Sequence, residues 1–363
     1  MRTARIAIVG AGLSGMVAAF LLEQKGITDY VLVEARDVLG GRIVSVPVRG
    51  SGVDRVDLGP TWFWPTYQRQ LDLLVRDLGL KRFEQFESGD MVVERSPHEA
   101  PMRMGGYVSS PTSMRLVGGM GSLIDALRSR LDSTRIITGQ RVRRVRDAAP
   151  QLHLDSEDQS GCVTTWQVEH VLLATPPRLI EGIDFSPRLP PELSQKWRAT
   201  ATWMASHAKY VAVYERPFWR EQGLSGEARS ACGPLGEIHD ASMPGGSSAL
   251  FGFLGLPARA RKGIPEDDLR SRCRAQLARL FGPHAATPQS EFLKDWAMDP
   301  YTATANDMDN ATHHAEALAT TAPSGPWSGR LTGIASEWSP QFPGYVAGAI
   351  EAASLGVKAL FSQ

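Results

Sequence analysis

Apolar and polar positions change rhythm three times in the first forty residues. Ile6-Ala7-Ile8-Val9 is an unbroken apolar run of strand length, Met16 to Lys25 reads as a helix, and Tyr30-Val31-Leu32-Val33 is a second apolar run. Short apolar runs around a helix predict buried strands of a βαβ unit. Val44 to Val48 and Val53 to Leu58 alternate on either side of Gly50-Ser51-Gly52 and predict a hairpin. Gln68 to Leu78 sets Leu71, Leu74, Val75 and Leu78 at helical spacing and stops at Gly79. Between Lys81 and Arg115 the pattern weakens to the short strands MVVE and MRMGGYV. Leu123 to Leu131 is the next amphipathic helix. Ile136 to Gly139 and Gln140 to Val145 predict strands of a smaller sheet, Gln151 to Leu154 and Cys162 to Val168 a meander, and His170 to Ala174 a buried strand stopped by Pro176-Pro177. Beyond Leu189 the pattern predicts a helix near Glu192 to Arg198, strands at Tyr210 to Tyr214 and Ala249 to Leu254, and a helix over Glu266 to Leu280. The chain closes on a short strand, a loop with Glu337, Trp338, Pro340 and Pro343, and a helix of small residues opened by Gly344-Tyr345.

The turn after the first strand holds Gly10, Gly12 and Gly15, spaced G-x-G-x-x-G. In that context the first glycine makes the turn, the second admits a pyrophosphate, and the third lets helix and strand approach. A phosphate then rests on the helix N-terminus. Glu34 ends the second strand, at a distance suited to accepting hydrogen bonds from a ribose hydroxyl, and disfavours a 2′-phosphate. Gly40-Gly41-Arg42 follows, where a guanidinium can reach phosphates or a ribityl chain, and favours FAD over NAD. The bland alternative is an ordinary buried βαβ unit. The stretch Asp57-Leu58-Gly59-Pro60-Thr61-Trp62-Phe63-Trp64-Pro65 allows two readings equally, aromatic lining for a flat molecule or packing at a domain junction.

A chain of 363 residues is long for one domain, and two are expected. The 39 basic and 39 acidic residues balance, which argues against nucleic acid or an anionic membrane as main partner. Three widely spaced cysteines, Cys162, Cys232 and Cys273, fit a reducing cytoplasm. The histidines show no ligand spacing, with His313-His314 adjacent in a polar stretch, so no metal site is expected. Ile6 to Leu22 is explained by the glycine turn and its helix rather than by a signal peptide, and no later stretch is long enough to span a membrane. A soluble, cytoplasmic protein is the expectation.

Taken together, GAGLSG with Glu34 and GGR, DLGPTW at Asp57 to Trp62, LVGGMGSL at Leu116 to Leu123, YERPFW at Tyr214 to Trp219, Asp295-Trp296 and EWSPQFPGYVAGAIEAA resemble the flavin-containing amine oxidase family, the group of monoamine, polyamine and L-amino-acid oxidases. The resemblance covers most of the chain in the family's order. It implies an α/β fold: a Rossmann-like FAD domain of the glutathione-reductase type, residues 1–80, 116–188 and 325–363, with a discontinuous α+β substrate domain, residues 81–115 and 189–324. It further implies that Gly10, Gly12, Gly15, Glu34, Ala35, Arg36, Gly41, Arg42, Gly59, Pro60, Thr61, Trp62, Val142, Thr175, Glu337, Gly344 and Tyr345 bind FAD, with Trp296 and Tyr345 beside its reactive edge. The implied reaction takes a hydride equivalent from the α-carbon of a neutral amine or amino acid, leaves an imine that water hydrolyses, and uses oxygen to regenerate the flavin with release of peroxide. Tyr301 to Asn306 has no cysteine, so FAD is expected to be non-covalent, and Asn306 stands where many members place a second aromatic. The family's lysine is expected around Pro257-Ala258-Arg259, where there is none. The interval from Gly79 to Leu116 is short, which leaves the pocket open, differently roofed, or closed by a second subunit in a homodimer. Two other readings follow from these departures: a flavin-dependent desaturase or oxidative cyclase, or a flavin-binding protein with little turnover.

Overall fold

The two opening apolar runs become neighbouring strands inside a parallel sheet. In the computed structural model of the chain, which describes residues 1–48, 52–308 and 318–361, five parallel strands run in the order Ile136–Ile137, Tyr30–Val33, Ile6–Val9, His170–Leu173 and Leu331–Gly333. Alternation sorts their side chains between two cores. Ile6, Ile8, Leu32 and Leu172 meet the helices Leu13–Gln24, Gly121–Arg128 and Val346–Ala359. Ala7, Val9, Val31, Val33, Val171 and Leu173 meet a second sheet through Val145, Leu152, Leu154 and Trp166. A parallel sheet covered on both faces needs such continuously apolar strands.

That second sheet is the meander Arg141–Ala148, Gln151–Glu157 and Val163–Val168, with Arg2–Thr3 and Asp184–Ser186 parallel at its edges. The strand Ile136–Ile137 was expected in this smaller sheet but pairs with Leu32 and Val33 of the parallel one. Gly139, at φ +66°, turns the chain out before the meander starts. The helix Pro191–Ala199, expected in the second domain, packs Leu193 and Trp197 into the core under the parallel sheet, where the Trp197 ring meets Trp338 edge-on at 5.4 Å.

The remaining chain builds a seven-stranded sheet in the order Ser290–Asp295, Ala208–Tyr214, Ser248–Leu254, Leu235–Asp240, Leu224–Ser230, Asp90–Glu94 and Met102–Met104. Tyr210, Ala212, Ile238 and Leu250 of one face pack on Leu269, Cys273, Leu277 and Phe281 of the helix Glu266–Phe281. The other face sets Val211, Val213, Ala249 and Phe251 against Val56 and Leu58 beside the hairpin Ser45–Pro47/Arg55–Asp57, which wedges between the two bodies. Gly50 and Ser51 of the expected hairpin turn, and His313 and His314, lie outside the described residues. Among the described residues no helix is long and apolar enough to cross a membrane.

Candidate active site

The C-terminal ends of the strands Ile6–Val9 and Tyr30–Val33 open into a cavity of about 440 Å³. Ligands of open parallel sheets bind at such strand ends. Gly10 and Gly12 line it, and Gly15 lies behind them, where a Cβ would stand 1.9 Å from the Gly10 carbonyl oxygen. Helix and strand therefore touch only because residue 15 has no side chain. Gly41, at φ +60°, folds the GGR turn against Gly12.

Glu34 is buried, and its two oxygens accept from the backbone N–H groups of Ala11 at 2.7 Å and Arg36 at 2.9 Å. The Arg36 guanidinium also lies 3.9 Å from the same carboxylate. Ala35, Arg36 and Val142 also line the cavity. The Arg36 guanidinium is held 2.7 Å from Asp299 and lies 5.1 Å from the centroid of the Tyr301 ring. Arg42 also lines the cavity, clamped in two-pronged fashion by Glu337 at 2.6 and 3.1 Å. Glu337 itself is fully buried behind the wall. The structure therefore places Gly15 and Glu337 as supports, while the other expected cofactor residues, Gly59, Pro60, Thr61, Trp62, Thr175 and Gly344 among them, face the cavity. The Thr175 hydroxyl is buried with no hydrogen-bond partner. An orphaned hydroxyl at a cavity of bare glycine backbone fits a cofactor rich in acceptors.

The second body supplies further walls of the same cavity, joined by Tyr345. Trp296 is buried, its indole N–H donates to the Leu58 carbonyl at 3.0 Å, and the Lys294 ammonium lies 4.6 Å from its ring centroid. Tyr345 stands at the N-terminus of the helix Val346–Ala359, 40% exposed, its ring stacked on Trp203 at 5.8 Å and 27°. Trp203 precedes Met204, which has a φ of 60° and is the one non-glycine residue with positive φ among the described residues. The exposed Asn306 does not line the cavity, and the second aromatic wall comes from Trp203.

A lysine does stand here, at a position different from the one expected. Lys209, from the strand Ala208–Tyr214, reaches the cavity with its ammonium 3.1 Å from the Gly59 carbonyl, in hydrogen bond with the Thr61 hydroxyl and 4.0 Å from the centroid of Phe251. Burial lowers its pKa to about 7, against the opposing pull of Asp57, with Arg115 adding to the fall. Its signal in the sequence was a lone charge within an apolar strand, an arrangement that costs stability unless used.

Beside this cavity lies a second, of about 560 Å³, with Trp62, Trp64, Gln68 and Tyr345 common to both. Phe86, Glu87, Tyr107 and Pro111 from the short interval line it.

A glycine turn over a helix, a buried acid at the second strand end and a substrate body facing them define a dinucleotide-binding flavoprotein. The chain belongs to the flavin containing amine oxidoreductase family, whose model matches residues 94–359, and residues 8–78 match the NAD(P)-binding Rossmann-like domain. It is an oxidoreductase of the amine oxidase type and its cofactor is FAD. It is 24% identical over 400 residues to the probable flavin-containing monoamine oxidase A of Dictyostelium discoideum, covering 82% of this chain and 84% of that one. Against the putrescine oxidase of Kocuria rosea the figures are 24% over 403 residues, 82% and 83%. Cyclohexylamine oxidase from Brevibacterium oxydans IH-35A superposes with a TM-score of 0.81 at 18% identity over 98% of both chains, a likeness of fold.

Proposed function

We propose that this chain oxidises a C–N bond of an amine or amino acid to the imine, with oxygen as the final acceptor and hydrogen peroxide as co-product, in the cytoplasm and with FAD held non-covalently. The observation that carries the reading is the joint placement of Lys209, Trp296 and Tyr345 around the cavity that Glu34 and Arg36 also line. Non-covalent binding is supported by the cysteines, none of which lines the cavity.

The chemistry supplied by bound FAD is acceptance of two electrons as hydride from the carbon that carries the amine. Glu34 would take the ribose hydroxyls, Arg36 and Arg42 the phosphates, and Thr175 a further acceptor. Trp296, Tyr345 and Trp203 give the amine flat apolar walls that orient it and exclude water. Such walls favour its uncharged form, since burial penalises an ammonium. Lys209, near neutrality, adds little charge of its own to that preference and can hold or release one proton at Nζ. With a lysine present, the main ground for a desaturase or an inert flavin carrier is gone.

The test is an anaerobic visible spectrum of the FAD-loaded protein before and after primary, secondary and poly-amines and amino acids. Bleaching of the flavin bands by one class, then recovery of colour with peroxide on admitting air, is the expected result. A flavin that no amine bleaches would overturn the reaction. Bleaching without recovery in air would overturn only oxygen as acceptor.

A further inference from the structure

We propose that His207 is a further catalytic residue: its imidazole accepts a hydrogen bond from an N–H of the substrate nitrogen, and so selects primary and secondary amines over tertiary ones. This deepens the amine reading above and rests on it. His207 directly precedes the strand Ala208–Tyr214 and lies two residues before Lys209, so strand alternation puts both side chains on one face. That face continues through Val211 and Val213, and His207, Lys209 and Trp296 all line the cavity. The His207 carbonyl accepts the backbone N–H of Trp296 at 3.0 Å, which ties the two residues together at the wall. The His207 ring meets Phe253, another lining residue, edge-on at 6.3 Å.

Packing alone does not require an imidazole here. The residue is half-buried, and a phenyl group would fill the place beside Phe253 without withdrawing polar nitrogens from bulk water. Nδ1 lies 3.5 Å from the Ser206 hydroxyl, and Nε2 has no hydrogen-bond partner among the described residues. With the ring proton on Nδ1, toward Ser206, Nε2 keeps a free lone pair. The charged groups around the ring are engaged elsewhere. Arg261, from the helix Ala258–Arg261, donates to both oxygens of Asp295 at 2.8 Å and to the Ser206 carbonyl at 2.7 Å. Lys294 is held 2.7 Å from Asp299, and Lys209 is bound to Gly59 and Thr61. Burial, with Arg261 adding to it, lowers the pKa of His207 below the ordinary histidine value. The ring is therefore neutral at pH 7 and above, and it can accept. An uncharged primary or secondary amine gives its N–H to Nε2 and keeps its lone pair free to assist loss of hydride from the adjacent carbon. A tertiary amine has no N–H to give and leaves Nε2 desolvated without a partner.

The experiment takes an amine of the class that bleaches the flavin and compares its N-ethyl and N,N-dimethyl derivatives, isomers that differ in the N–H. Second-order rates of anaerobic flavin reduction are measured for the FAD-loaded wild type, His207→Phe and His207→Gln. In the wild type the N-ethyl amine is expected to react about tenfold faster, the size of one lost hydrogen bond. His207→Phe keeps the ring and removes the acceptor, so the ratio falls toward one; His207→Gln supplies an amide oxygen and restores it. A second readout is the dissociation constant of a tert-alkylamine, which has no hydrogen on the carbon bearing nitrogen and perturbs the flavin spectrum without reducing it. That constant should rise about tenfold in His207→Phe and recover in His207→Gln. Equal rates for the two isomers in the wild type would overturn the inference and leave amine oxidation standing, as would a discrimination that survives in His207→Phe. Weaker FAD binding in His207→Phe with unchanged amine selectivity would also overturn it, since the ring would then serve the cofactor. Failure of every amine to reduce the flavin would instead overturn the reading on which it rests. Should the variants not fold, the wild-type comparison of isomers decides alone.

Discussion

Lys209 occupies a strand in which every residue is buried, and its proton is the most consequential one in the pocket. The unfolded chain holds that proton up to the ordinary lysine value near 10.5, whereas burial lets the folded chain release it at about 7. Between those values the unfolded state binds more protons, so stability rises with pH across that window. The urea midpoint of the FAD-loaded protein should therefore increase from pH 7 to pH 9, by something on the order of 1 kcal/mol per unit at most. Lys209→Met should flatten the rise, and an unchanged slope in that variant would show that the lysine does not titrate there. The same residue marks what a sequence can and cannot disclose. Gly10, Gly12, Glu34 and Arg42 were legible because a phosphate-binding turn needs them at fixed local spacing. Lys209 and Trp203 were not, because their place depends on where a distant strand docks and on a left-handed Met204 that no pattern announces.

Among the elements, the contact between the first strand and the first helix tolerates the least change. Residue 15 sits where any Cβ would overlap the Gly10 carbonyl by more than an ångström, and the colliding atom is backbone, which cannot rotate away. Gly15→Ala should force the helix Leu13–Gln24 off the sheet and tilt the N–H groups that face the cavity. We expect a protein purified without yellow colour and with a melting midpoint lower by about 5–10 °C, for a loss of roughly 3 kcal/mol. A yellow variant of wild-type midpoint would show that the turn relaxes freely. Elements with one apolar rhythm, such as Arg69–Asp77 and Glu266–Phe281, were readable to within a few residues. The strands Leu224–Ser230 and Leu235–Asp240 were not, since charge breaks their apolar pattern and is paired in part across the sheet, Arg229 against Glu237.

At the scale of the whole molecule, the cavity is what the two bodies have in common. Glu34, Arg36 and Val142 come from the first body, Lys209, Phe253 and Trp296 from the second, and around the cavity the links that cross between them include Lys209 to Gly59, Trp296 to Leu58, and Asp299 to Arg36. This interleaving was beyond the sequence, because the partner strands of each sheet lie far apart in the chain and only their joint burial selects them. It makes the cofactor a bridge. A ligand that binds only the folded state adds about 2.7 kcal/mol at a hundredfold excess over its dissociation constant. Removing FAD should therefore lower the melting midpoint by about 5–10 °C, judged from the response of domains somewhat smaller than this chain. ADP separates bridging from local binding, since it fills the Glu34 and Arg36 end alone. If the bodies are held together through the flavin half, saturating ADP restores only part of the lost midpoint and FAD restores all of it. Equal recovery with ADP would mean that cofactor binding stabilises the first body by itself, and that Lys209 and Trp296 meet the flavin without gripping it.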